Sequence, residues 1–205
     1  GPWKQCREDI GDIAYVLNLT ASTKYSSNPQ EKVQIYSVEQ AVALGVSGVA
    51  VHLNVGSVHI HDELKILGRV CAEAYIVGLP VMAIAYPRGE QIREDGLVQA
   101  TCYAARLAAE AGADIVKTKY VGGKDAFAEV VAGTPIPVIM AGGAQVDTRT
   151  ILQNVYDCMA VGGKGVAIGR NAFHHDNTTA FVQAVKGIVH EGKTVERVME
   201  EYRVK

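Results

Sequence analysis

The chain has 205 residues, is 48% hydrophobic and carries a formal net charge of −2 at pH 7. That size and apolar content suit one well-buried domain spanning residues 1–205 and leave two domains cramped. The balanced charge, with no basic block and no apolar run of bilayer length, argues against nucleic-acid and membrane partners. The expected partners are small molecules or copies of the chain itself, in the cytoplasm.

Residues up to about 12 are polar and mixed, like the end of a helix, and Gly1-Pro2 has the form of a scar left by tag cleavage, with the natural chain starting or cut at Trp3. A buried strand is expected over 13–20, then a Ser/Thr/Asn/Pro loop over 21–29 long enough to carry function. Ser37 and Gln40 have capping-box spacing and open a helix that stops at Gly45. A strand over 48–54 precedes a helix over 61–77, and a strand over 80–86 is closed by Pro87-Arg88-Gly89. The helix over 96–111 leads into the stretch Gly112-Ala113-Asp114-Ile115-Val116-Lys117-Thr118-Lys119-Tyr120. Gly122-Gly123 then opens a short helix ending near Gly133. The fifth strand, 137–140, runs into Ala141-Gly142-Gly143, and a helix over 148–161 precedes the sixth strand, 165–170. Helices over 178–190 and 195–202 close the chain, with Asp176 the expected cap of the first.

Strands and helices alternate in units of about 30 residues, the pattern of stacked βαβ units. Two architectures accommodate six strands: a doubly wound open sheet, or a (β/α)8 barrel lacking its first two units. Polar residues and glycines gather at the C-terminal strand ends (Asn18, Asn54, Tyr86, Lys117, Lys119, Gly142, Gly169 and Arg170), where a barrel builds its active site, and this favours the barrel. Neither GxGxxG after the first strand nor GxxxxGK[ST] occurs, so nucleotide cofactors have no motif here.

The fourth strand carries two lysines where a buried parallel strand should be apolar. Alternation puts Ile115, Lys117 and Lys119 on one face. Desolvation and a like-charged neighbour both lower a lysine pKa, and the neutral amine is the form that attacks a carbonyl to make a Schiff base. Lys117 is therefore the candidate nucleophile, with Lys119 the neighbour that favours its neutral form. The alternative is that both stems run out to solvent. Gly142, Gly143 and Gly169 let backbone N–H groups approach an anion, and Arg170 adds a fixed positive fork; with Lys119 they form a candidate substrate and phosphate site. Tyr86 shares parity with Met82 and Ile84; a phenol beside ammonium groups would have a lowered pKa and could shuttle a proton. It could equally pack at the core rim.

His59, His61, His174 and His175 lack carboxylates at ligand spacing and read as exposed or capping residues, so no metal site is expected. His52 reads as a satisfied core histidine. The four cysteines form no CxxC pair and read as reduced thiols.

The segments Ala85-Tyr86-Pro87-Arg88-Gly89, Gly112-Ala113-Asp114-Ile115-Val116-Lys117-Thr118, Ala141-Gly142-Gly143 and Val166-Ala167-Ile168-Gly169-Arg170-Asn171 resemble the archaeal-type class I fructose-bisphosphate aldolases. They resemble more closely the related 2-amino-3,7-dideoxy-D-threo-hept-6-ulosonate synthases, as does His52-Leu53-Asn54-Val55-Gly56-Ser57. The likeness runs from about Gly11 to Lys205. It implies a cofactor-free Schiff-base aldolase or transaldolase acting on phosphorylated ketoses and aldehydes, on a barrel that commonly forms ring-like homo-oligomers. It assigns the imine to Lys117, acid–base work to Tyr86 and phosphate binding to Gly142, Gly143, Gly169 and Arg170. The family also places a catalytic aspartate at the end of its first strand, and no segment here reads as that strand. The expected explanation is that this part of the protein lies outside the sequence. The others are a second chain that supplies it, or a remnant without full activity that binds a phosphorylated ligand. A phosphate-binding isomerase with Tyr86 or His52 as base is a further alternative.

Overall fold

The computed structural model describes residues 11–204. The helix end expected before residue 12, Trp3 and Cys6 lie outside or at the margin of that range. Strands β1 (Val16–Asn18), β4 (Gly48–Asn54), β5 (Val81–Tyr86), β6 (Ile115–Lys119), β7 (Val138–Ala141) and β8 (Val166–Ala167) form one sheet in the order β1-β4-β5-β6-β7-β8. Every pairing in it is parallel. The order follows the chain without reversing, so the described strands have no topological switch point, and the doubly wound alternative falls.

Strands β2 (Thr20–Ala21) and β3 (Val33–Gln34) form a separate antiparallel hairpin. The strand expected over 13–20 is thus divided. The Asn18 side chain accepts from both the backbone N–H and the hydroxyl of Thr20, an Asx-type turn that ends β1 and redirects the chain. The segment expected as an open loop over 21–29 is the excursion between the two hairpin strands.

Eight α-helices follow the chain among the described residues: α1 (Val38–Leu44), α2 (Ile60–Val77), α3 (Leu97–Glu110), α4 (Gly123–Ala132), α5 (Thr148–Ala160), α6 (Arg170–Phe173), α7 (Thr178–Glu191) and α8 (Val195–Tyr202). The Ser37/Gln40 capping box is present in both directions. Asn177, not Asp176, caps α7, because its side-chain oxygen accepts the Ala180 N–H. Helix α2 packs on β4 and β5, and α3 on β5 and β6. No described helix is long and apolar enough to cross a membrane.

Burial alternates along the central strands. Val81, Ala83 and Ala85 on β5, and Val116 and Thr118 on β6, are buried, while Met82, Ile84, Tyr86, Ile115, Lys117 and Lys119 are only partly so. One face is covered by helices; the other is the concave face that would be the inside of a barrel. Register sets its side chains in rows: Ala50, Met82 and Ile115, then His52, Ile84, Lys117 and Ile139. Above them, Asn54 is beside Tyr86, and Lys119 beside Ala141 and Ala167.

Candidate active site

The strand period places both lysines on the concave face one row apart, with Tyr86 on the neighbouring strand. A cavity of 210 Å³ opens there, lined by Tyr86, Arg88, Lys117, Lys119, Ala141, Gly142, Gly143, Ala167, Gly169 and Arg170. All seven residues expected from the sequence meet around it. A groove of 770 Å³ lies at the opposite, N-terminal end of the strands, lined among others by Cys71, Tyr75, Pro80 and Asp114. It is larger, but it contains no amine, and the Asp114 side chain is occupied by the Val81 N–H at 2.8 Å.

The two glycine loops are tied together. An Arg170 amino group donates to the Gly143 carbonyl at 2.8 Å. Asn171 is buried and donates to the Gly142 and Ala144 carbonyls at 2.9 and 3.0 Å, while its oxygen accepts the Val146 N–H at 2.9 Å. Gly143 has φ +66, a conformation that disfavours side chains. At Gly142 the reason for glycine is space, since a Cβ there would press on Ile168. Arg170 is the first residue of α6 rather than the end of a strand, because β8 stops at Ala167.

Burial lowers the Lys117 pKa. The expected help from Lys119 is absent: burial alone accounts for the shift, and Lys119 is itself lowered by burial and then by the Arg88 charge. The expectation for Tyr86 is reversed. Burial raises its pKa, and the opposing Arg88 and Arg170 charges do not overcome this. Its ring packs against the Arg88 guanidinium at 4.8 Å and meets the edge of His52 at 5.0 Å. Tyr86 therefore keeps its proton and suits a donor. Among the described residues Lys117, Lys119, Arg88 and Arg170 form no ion pair with a carboxylate. An unbalanced positive mouth of this kind favours an anionic ligand.

Glu63 was not singled out from the sequence. It lies in the first turn of α2 and is 1% exposed. One carboxylate oxygen accepts the Asn54 N–H at 2.6 Å, and the other has no hydrogen bond among the described residues. Burial pushes its pKa up to about 7, against the pull of the Asn54 hydrogen bond and the Lys32 charge. The available signal was its spacing with Leu67, Val70 and Ala74, which puts a carboxylate on the apolar stripe of α2. The folded protein binds this proton more tightly than the unfolded chain. Stability is therefore fullest below pH 4.5 and falls as pH rises toward about 7, by on the order of 3 kcal/mol from this group. Glu63→Gln keeps an acceptor for Asn54 and removes the charge. Thermal melts of the two proteins should diverge over that window, with the variant flatter; parallel curves contradict the assignment.

The fold and its relatives define an enzyme of the class I aldolase type. Residues 3–175 match the sequence profile described as DeoC/LacD family aldolase, and the chain belongs to that family. A 2-amino-3,7-dideoxy-D-threo-hept-6-ulosonate synthase of Halobacterium salinarum is 40% identical over 181 residues, covering 88% of this chain and 68% of that protein. Synthase 1 of the same name from Archaeoglobus fulgidus is 38% identical over 189 residues, covering 92% and 70%. The structure of an archaeal fructose-1,6-bisphosphate aldolase, with its catalytic lysine covalently bound to a carbinolamine intermediate, superposes with a TM-score of 0.84 at 29% identity, covering 91% of this chain and 76% of that one.

Proposed function

We propose that the chain is a Schiff-base aldolase or transaldolase of phosphorylated ketoses, with Lys117 as the nucleophile. The observation that carries this reading is the placement of a desolvated lysine beside a phenol and two interlocked glycine loops around one cavity. The Lys117 amine attacks the ketone carbon, and loss of water gives a protonated imine. The imine withdraws electrons, so the bond between the carbon next to the imine carbon and the hydroxyl-bearing carbon beyond it breaks: its electron pair forms the enamine, and that hydroxyl gives its proton to the Tyr86 phenolate left when water departs and becomes the aldehyde carbonyl; condensation is the reverse. Tyr86, held protonated, donates to the oxygen that leaves as water. The phosphate rests on the Gly142–Gly143 and Gly169–Arg170 loops, which fixes the ketone near Lys117.

The synthase and aldolase relatives support a phosphorylated ketose and an aldehyde as substrates. Release of aldehyde from fructose 1-phosphate or fructose 1,6-bisphosphate tests the reading, and it should persist in EDTA because the imine is the electron sink. Arg170→Met should raise KM for these substrates about tenfold or more with a smaller effect on kcat, since it removes a charged contact to phosphate. No cleavage of, and no imine with, any phosphorylated ketose refutes the proposal.

A further inference from the structure

The cavity on the concave face is lined mostly by donors: Arg88, Lys117, Lys119, Arg170 and the Tyr86 hydroxyl. His52 is different, and its environment fixes how. The Asn54 amide nitrogen donates to the Gln30 carbonyl at 2.7 Å, which turns the amide oxygen toward His52 Nε2 at 3.2 Å. That oxygen can only accept, so Nε2 carries the ring proton and Nδ1 is left as a bare lone pair. Among the described residues Nδ1 has no hydrogen bond. The ring stands edge-on to Tyr86, at 83° between planes, so its orientation is set from two sides. Burial first, then the Lys32 and Arg88 charges with a smaller effect from Lys117, depress the imidazole pKa to about 4, against the Asn54 hydrogen bond. At neutral pH the ring is uncharged and a poor base, but a competent acceptor.

Register then locates this acceptor relative to the reaction. The phosphate loops follow β7 and β8, Lys117 is on β6, and His52 is on β4, in the same row as Lys117. Strands are spaced by about 4.8 Å, so β4 and β6 are about 10 Å apart. A ketose phosphate anchored at β7 and β8 and joined to Lys117 has its remaining carbons running toward β5 and β4. Those carbons form the aldehyde half, and their hydroxyls are donors.

We propose that His52 Nδ1 accepts a hydrogen bond from a hydroxyl on the aldehyde-derived half of the substrate, making it a specificity-determining residue for hydroxylated aldehydes. This rests on the assignment of the imine to Lys117. Borohydride trapping separates the two, because it needs no turnover. Adduct yield is measured by mass spectrometry against the concentration of dihydroxyacetone phosphate, which lacks the aldehyde half, and of fructose 1-phosphate, which contains it. His52→Phe removes the acceptor and should raise the half-saturating concentration of fructose 1-phosphate about fivefold to tenfold, leaving that of dihydroxyacetone phosphate unchanged. His52→Gln, whose amide oxygen can accept, should recover most of the loss. Unchanged fructose 1-phosphate behaviour in His52→Phe, or an equal rise for both ketones, overturns the inference. Absence of any adduct in the unsubstituted protein overturns the imine assignment and this inference with it, and is distinguishable because it appears before His52 is touched.

Discussion

Lys117→Met is expected to lose carbon–carbon bond cleavage by on the order of 10⁴-fold or more, because it removes the amine proposed to form the covalent electron sink. The fold is expected to survive. Lys117 is half-buried with no carboxylate partner among the described residues, and its burial lowers its pKa, so the charge is held at a cost that an apolar side chain of similar length avoids. Steady-state cleavage and a thermal melt on the same preparation check both halves. Activity retained within tenfold removes Lys117 from the mechanism; lost activity together with a collapsed melt attributes the loss to folding instead.

Gly89→Ala acts on stability and site at once. Gly89 has φ +125, and a Cβ there would overlap the Gly56 carbonyl and the Ser57 nitrogen, all backbone atoms that cannot swing aside. The two loops are laced together: the Gly56 N–H donates to the Arg88 carbonyl at 2.8 Å, the Gln91 N–H to the Gly56 carbonyl at 3.2 Å, and the Val55 N–H to the Tyr86 carbonyl at 3.1 Å. Displacing one loop moves the strand ends that hold Tyr86, Arg88 and Asn54. The expected loss is about 3 kcal/mol or more, read as a shift in denaturant midpoint at unchanged slope, with reduced cleavage in whatever remains folded. Gly68→Ala is the control. Gly68 is inside α2 with nothing near the added carbon, so the substitution should be neutral or stabilising by about 0.5–1 kcal/mol. Equal effects at the two positions contradict the packing argument.

The parts of the site visible in the sequence are those governed by strand periodicity. Ile115, Lys117 and Lys119 alternate with Val116 and Thr118, and this fixes their common face before any tertiary contact is known. Polar residues at successive strand ends likewise gave the barrel-type arrangement, because parallel strands wound in one direction bring those ends together. Depth was not visible. Tyr86 was expected beside ammonium groups; the charges that bear on it are the Arg88 and Arg170 guanidinium groups, and enclosure outweighs them, so its pKa rises where a fall was expected. Lys119 failed as a helper for Lys117 for the same reason: burial, not the adjacent charge, governs the shift. The Asn18 turn that splits β1 from the hairpin is a local competitor to strand continuation that strand propensity does not register. Glu63 reads in sequence as an ordinary first-turn acid, and only the packing of α2 on the sheet buries it.

The proposed chemistry turns on the amine of Lys117 becoming covalently joined to a phosphorylated ketone. Its most direct measurement is borohydride reduction in the presence of dihydroxyacetone phosphate, followed by peptide mapping by mass spectrometry. One stoichiometric adduct is expected, on the peptide containing Lys117, suppressed by excess inorganic phosphate. An adduct on Lys119 or Lys32, or none on any lysine, contradicts it.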